Sequence, residues 1–546
     1  MHSTNPVISP ALLAVVALGF AAATGGCGDS NSPALFSEDA GDENADQGKG
    51  GSGNGGSPQG GDGGSGNGDA GNGGSGNGGT GGGGGDASTA SCEPDEIACG
   101  DKCCDGDSQQ CVANACVCRT NTVCGEGKVC DHTNSCVAGC LINGSAFAEG
   151  TQNPNNDCQI CASSNTTAWV SASPGSSCAK NGGDTCNTNG VCLKRRKLSA
   201  GEPRSCAVTP TGSAVCWGGN GTGTVGDGKT AAQVVDQSPN VMSISSGGSH
   251  TCSLSMDGTV MCWGTNTYGQ VGNGTILFQH VPVAITELGT GARYVSAGVI
   301  NTCAITADGG AMCWGNNSSG QLGNGTTISS LTPTKVSGFD SEVVDISIGS
   351  VHTCALNIEG GIKCWGSGVH GQLGTGFHDN LVPVPTQVQG LETGVTAIAA
   401  GADHTCALTV SGGVLCWGRN AECQLGDSTT ASKHVPTPVV GLSSGIVAIA
   451  AGYDHSCAVN AAGGVRCWGF NDYQQLGDGS EFKRCETVQV ANLYSGVTAV
   501  SAARYHTCAY TSPNKIMCWG RNGNYQLGIG VSTAYNSSPI EVIGFP

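Results

Sequence analysis

Between residues 206 and 518 the chain repeats one short unit seven times. Its marks are two cysteines ten residues apart, the second followed by Trp-Gly. The pairs are Cys206 with Cys216, Cys252 with Cys262, Cys303 with Cys313, Cys354 with Cys364, Cys406 with Cys416, Cys457 with Cys467, and Cys508 with Cys518. The first interval is 46 residues and the later ones are 51 or 52. Self-similarity at this period is the signature of a propeller or solenoid. A catalytic centre is normally built once, so sevenfold recurrence assigns these cysteines to architecture.

Each pair reads as the base of a β-hairpin. Cys406-Ala-Leu-Thr409 and Gly413-Val-Leu-Cys416 are short apolar runs bounded by turn residues. Pairing Cys406 with Cys416 leaves the loop Val410-Ser411-Gly412, whose last residue should be left-handed. Glycine tolerates that conformation best. Gly212, Gly258, Gly309, Gly360, Gly412 and Gly463 occupy the position in six repeats and Asn514 in the seventh. Opposed strand residues lie close enough for a disulfide, so one bridge per hairpin is expected. A further bridge, Cys423 to Cys485, is expected between successive repeats, because Cys423 stands where others carry the Gly of Gly-Gln-Leu-Gly.

A Val/Ile/Ala run precedes each hairpin, as in Val447-Ala-Ile-Ala-Ala-Gly452, and a Pro-Val run follows it, as in Val435-Pro-Thr-Pro-Val-Val440. Four short strands per repeat make a propeller blade. The expected fold is therefore all-β, a seven-bladed propeller over 197–546. How the ring closes is not readable at this level. The repeat G-x-x-H-T-C-A-L-T-x-x-G-G-V-x-C-W-G-x-N-x-x-G-Q-L-G, carried best by residues 398–426, 449–477 and 303–323, resembles the regulator of chromosome condensation family of seven-bladed propellers. Arg204 and Asn301 depart from its His, Gly368 from its Asn, and Thr224-Val-Gly from its Gln-Leu-Gly. Because His250, His352, His404, His455 and His506 track the repeat, they read as blade packing. The seven Trp residues read as core.

Upstream, residues 1–27 look like an export signal. The apolar run Ala11–Ala23 is too short to span a bilayer and suits a signal core. It ends in Thr24-Gly-Gly-Cys27, similar to a bacterial lipoprotein box, which would make Cys27 the lipidated residue. Residues 28–91 are rich in Gly, Ser and Asn, cannot bury a core and read as a disordered tether. Residues 92–192 hold sixteen cysteines and imply small disulfide-stapled modules of undetermined connectivity. Cys158-x2-Cys161 has half of a zinc spacing and no matching half. The basic run Lys194–Lys197 reads as a solvated linker. With 33 cysteines, of which Cys27 is left unpaired, the chain is expected outside the cytoplasm: lipid-anchored in a bacterial envelope, or secreted.

The balance of 22 basic against 41 acidic residues disfavours phosphate backbones, so no nucleic-acid partner is expected. The nucleotide-exchange role of the resembled family's namesake needs a nucleus and a GTPase and is not carried over. No Gly-x-Ser-x-Gly, phosphate loop or His-Glu-x-x-His is present. Ser255-Met-Asp-Gly-Thr259 echoes a neuraminidase box, but its Asp-Gly belongs to the hairpin turn. Hence no enzyme activity, catalytic residue, metal or cofactor is expected. Strand alternation brings the first-to-second and third-to-fourth connections to one face. That face should gather Asp403, Tyr453, Asp454, Arg504 and Tyr505, together with Tyr268, Phe278, Phe377, Tyr473, Phe482 and Tyr525. Exposed Tyr, Phe and Arg are typical interface anchors. The expected role is recognition of an unidentified protein, with a carbohydrate-binding or glycoside-cleaving propeller as the other reading. A membrane is contacted only through the lipid on Cys27.

Overall fold

The computed structural model describes short strands between residues 96 and 193. It describes the chain from 196 onward apart from 220–231 and 235–239. Cys27 and the stretch 28–91 lie outside the described residues.

Seven four-stranded antiparallel sheets follow one another along the chain, each with its strands in sequence order. These blades run over 198–233, 241–284, 294–335, 343–387, 395–438, 446–489 and 497–541. Blade 5 is representative, with strands Val395–Ala400, His404–Thr409, Val414–Gly418 and Lys433–Pro438. Its two middle strands are buried on both faces, which explains their unbroken apolar and small-residue runs. The fourth strand lies at the sheet edge. Proline lacks a donor and is tolerated only there. Pro282, Pro333, Pro383, Pro436 and Pro539 all fall in fourth strands.

The hairpin register is the one the cysteine spacing implies. Cys406 faces Cys416 and Leu408 faces Val414. The loop residue Gly412 has φ +77°, and Asn514, in the same place in blade 7, has φ +44°. All seven hairpins are bridged as the spacing predicts. In chain order the disulfides join Cys206 to Cys216, Cys252 to Cys262, Cys303 to Cys313 and Cys354 to Cys364. The remaining three join Cys406 to Cys416, Cys457 to Cys467 and Cys508 to Cys518. Their Cα–Cα distances are 4.0–4.1 Å. That is closer than the roughly 4.5 Å of an unbridged narrow pair. Cys423 is bridged to Cys485 across blades 5 and 6, at a Cα–Cα distance of 4.5 Å. Equivalent positions explain the pairing. A Cβ on Gly269, Gly320 or Gly371 would point into Leu331, Pro383 or His434 of the next fourth strand. Cys423, at φ +64°, does so with its sulfur.

Blades are joined by a recurring latch. The seven tryptophans of the Trp-Gly repeats are fully buried, and each packs into the apolar face of the preceding blade, as Trp468 does against Leu425, Val439 and Leu442. The Trp468 indole donates to the Gln424 carbonyl oxygen at 2.9 Å. The Ser456 hydroxyl donates to the same oxygen at 3.0 Å. With its proton directed there, Ser456 Oγ accepts from His404 Nε2 at 2.9 Å. The motif histidine is therefore a neutral Nε2–H donor that locks its blade to the next. The same imidazole-to-hydroxyl bond recurs from His250 to Thr302, His352 to Thr405, His455 to Thr507 and His506 to Ser205.

The last of these closes the ring. His506 and the Gln526 carbonyl of blade 7 meet Ser205 and Trp217 of blade 1, with the indole donating to Gln526 O at 2.9 Å. Ala200 N also donates to Ser501 Oγ at 2.9 Å. Both end blades are complete sheets of consecutive strands, so no strand is exchanged. Replacing Trp468 by Phe is expected to cost about 1–3 kcal/mol, from one buried donor and part of a ring. Urea unfolding measures this, and an unchanged midpoint would remove the latch from the stability argument.

The end of the basic run corrects the sequence reading, while Lys194 and Arg195 lie outside the described residues. Arg196 and Lys197 are half-buried on the propeller instead of solvated. Ile244 N donates to the Arg196 carbonyl and Val208 N to that of Lys197. The Arg196 guanidinium lies 5.1 Å from the Tyr294 ring centre. The entry to the first blade is pinned by main-chain bonds that residue type does not reveal.

Upstream, Cys140 and Cys161 form a disulfide with Cα–Cα 5.8 Å. They pack with Ile142, Phe147 and Trp169 in a small cluster. Cys161 is thereby a bridged sulfur, not a zinc thiolate.

Candidate functional site

The first-to-second and third-to-fourth connections meet on one face. The residue after each Trp-Gly donates its N–H to the residue before the motif histidine. Examples are Arg419 to Asp403, Phe470 to Asp454 and Arg521 to Tyr505. A belt of main-chain bonds ties neighbouring first connections, including Ser350 N to Ala402 O, Ala402 N to Tyr453 O and Tyr453 N to Ala503 O. The five expected residues sit on this rigid belt.

Four of them are drawn into two contiguous groups. On blades 6 and 7, the Arg504 guanidinium lies 4.7 Å from the Tyr453 ring centre and 4.9 Å from that of Tyr505. Tyr505 also packs on Tyr473 at 4.5 Å. Arg521 lies 5.4 Å from both Tyr473 and Tyr505. Phe470 closes the group, 6.2 Å from Tyr473 and 6.5 Å from Tyr505. Glu202 of blade 1 pairs with Arg504 at 3.6 Å. Burial raises the Glu202 carboxyl above its usual range, partly opposed by Arg504 and Arg521.

The second group is acidic. Asp454 accepts from Arg419 at 2.6 Å and from Gln424 Nε2 at 2.9 Å. Burial still holds its carboxyl above the ordinary value, against the pull of Arg419 and with help from Asp403 and Glu422. Asp403, the fifth residue, accepts weakly from Gln372 Nε2 at 3.4 Å. Burial raises it too, with His370 and Arg419 opposing.

Arg521, Phe470 and Arg419 escaped the sequence reading. The signal that finds them is the hairpin register, which puts the residue after Trp-Gly beside the one before the motif His. Of the wider aromatic set, Tyr473 joins the cluster. Phe377, Phe482 and Tyr268 stand exposed by 70%, 68% and 45%. Phe278 stacks on His280 at 4.7 Å instead. Asp257, the acid of the neuraminidase echo, accepts from the Ser255 hydroxyl and from Thr259 N in its own turn. No cluster of three or more metal-ligating side chains is found among the described residues.

Comparisons with known proteins agree with this architecture. Residues 237–545 match the family model of the RCC1-like domain. The ultraviolet-B receptor UVR8 of Arabidopsis thaliana is 33% identical over 264 residues, which is 48% of this chain and 60% of the receptor. The probable E3 ubiquitin-protein ligase HERC4 of Homo sapiens is 36% identical over 210 residues, 38% of this chain and 20% of the ligase. The chain thus spans less than two thirds of the length of either relative. Among solved structures, yeast RCC1 (Prp20), determined with Kap60 bound, aligns with a TM-score of 0.54 at 23% identity. That alignment covers 61% of this chain and 84% of the yeast chain. Human WBSCR16 gives 0.52 at 25% identity, covering 58% and 84%. Seven bridged four-stranded sheets, a latch repeated around the ring and a family match over more than half its length together place the chain in the RCC1-like domain family.

Proposed function

We propose that this chain is a non-enzymatic recognition protein of the bacterial cell envelope whose propeller face binds another protein. The observation that carries the reading is the half-exposed cluster of Tyr453, Tyr473, Tyr505, Phe470, Arg504 and Arg521 on a rigid rim. Tyr and Arg lose little freedom on docking when they are already stacked, and they dominate binding hot spots. Yeast RCC1 (Prp20), of the same fold, is seen bound to a protein, Kap60. The guanidiniums already engage the tyrosine rings, which removes the open platform a sugar would stack on and disfavours the glycan reading. The envelope placement rests on the signal-like segment ending at Cys27 and on the cysteine content.

The test is crosslinking of the full oxidised chain to envelope and secreted fractions of its own organism. The Tyr453→Ala, Tyr505→Ala double variant is expected to weaken capture of a dominant protein about tenfold or more. Its unfolding midpoint should stay close to that of the parent. Unaltered capture, or enrichment of glycan alone, would overturn the reading.

A further inference from the structure

Among the described residues, five exposed or half-exposed cations around this face are matched by carboxylates. Arg419 is held by Asp454 at 2.6 Å, Arg484 by Asp478 at 2.9 Å, Lys433 by Asp427 at 3.3 Å, Lys483 by Glu422 at 3.4 Å and Arg504 by Glu202 at 3.6 Å. Arg521 makes no ion pair, and its guanidinium donates no hydrogen bond, among the described residues. It lies instead 5.4 Å from the ring centres of Tyr473 and Tyr505. Glu202 feels both guanidiniums, but its ion pair is with Arg504.

A guanidinium resting on an aromatic ring keeps its planar N–H edge free. That edge fits the two oxygens of a carboxylate, and the apolar backing of Tyr473, Tyr505 and Phe470 strengthens such a bond by keeping water away. We infer that Arg521 is the receiving group for a carboxylate of the bound protein, so that the recognised segment is an acidic peptide. The assignment rests on the protein-recognition reading above and names the partner's chemistry. The chain as a whole carries a net charge of −19. Its long-range field therefore opposes an acidic ligand, and selectivity has to come from this contact.

The probe is a fluorescent oligo-glutamate peptide blocked at both ends, with oligo-glutamine and oligo-lysine as comparisons. Fluorescence anisotropy is read on the full oxidised chain. The glutamate peptide should bind in preference to both others. R521Q should weaken it about tenfold, the loss of one charge-assisted contact. R521K, which keeps the charge and loses the fork, should fall between. R466Q, an exposed arginine on the third strand of blade 6, should bind like the parent. A thermal melt checks that each variant is folded.

Equal binding of the glutamine peptide, or no effect of R521Q, overturns the carboxylate assignment. Displacement of the peptide by inorganic phosphate but not by acetate assigns the pocket to a phosphate source and overturns it as well. The two readings fail separately. If R521Q keeps crosslinked capture while the tyrosine double variant loses it, protein recognition stands without the carboxylate.

Discussion

Acidifying the oxidised protein from about pH 7 to about pH 5 should remove a large part of its stability. The cause is the ring of buried histidines. Burial lowers His250, His404, His455 and His506 to about 3, and His352 to about 4. Neighbouring charges add to this at His250, His404 and His506. In the unfolded chain each titrates near 6.5. Above that value both states are neutral and the latches contribute in full. Below it the unfolded chain takes up protons that the folded chain refuses, so stability falls with pH until the folded values are reached. Each group contributes roughly 2 kcal/mol over this interval, and five approach about 10 kcal/mol before any relaxation of the site. Urea midpoints across the range would show it. His404→Asn, the residue blade 3 already has at Asn301, should flatten the slope by about one proton. A midpoint independent of pH would show that these histidines are not held neutral.

The second large effect is expected from one methyl group. Gly401 precedes His404 by three residues, and a Cβ there would collide with His404 Cε1 and Nδ1. It would also sit 2.5 Å from the Gly452 carbonyl oxygen of the next blade. Neither neighbour can yield. The ring is locked to Ser456, and Gly452 lies in the adjoining blade's first connection. Gly401→Ala should therefore cost about 3–5 kcal/mol, through overpacking and loss of the latch together. Gly445→Ala is the informative contrast. Gly445 has φ +77° with nothing within 4 Å of its Cβ position, so only backbone strain of about 1–2 kcal/mol applies. Denaturant unfolding of both variants separates the mechanisms. Equal losses would mean that the close approach at Gly401 is not what its glycine serves.

Much of this architecture is legible in the residues alone. The hairpins are, because two independent constraints, the cysteine spacing and a left-handed turn residue, give the same register at Cys406, Cys416 and Gly412. The Cys423 to Cys485 pairing is, because these are the two propeller cysteines left outside the hairpins and they fall in successive repeats. Ring closure is not. Its central acceptor is the main-chain oxygen of Gln526, which no residue code advertises, and its donors, Trp217 and Ser205, are more than 300 positions upstream. The Arg504 stack is half legible. Tyr453 and Arg504 are equivalent positions of successive repeats, as are Asp454 and Tyr505, whereas Arg521 arrives from the neighbouring strand of the same hairpin. The docking of Arg196 escapes because a basic run reads as solvated until main-chain partners appear.

The joint between blades 7 and 1 is the joint found elsewhere around the ring. Circles of sheets can be fastened by letting one blade borrow a strand from the far end of the chain. Here the fastening is chemical: an indole, a hydroxyl and an imidazole brought together around one carbonyl. Five joints carry the imidazole-to-hydroxyl clasp, the closing one among them, while Arg204 and Asn301 stand in its place at blades 1 and 3, so the ring has no master buckle. Its integrity does not depend on where the backbone happens to run from one blade to the next.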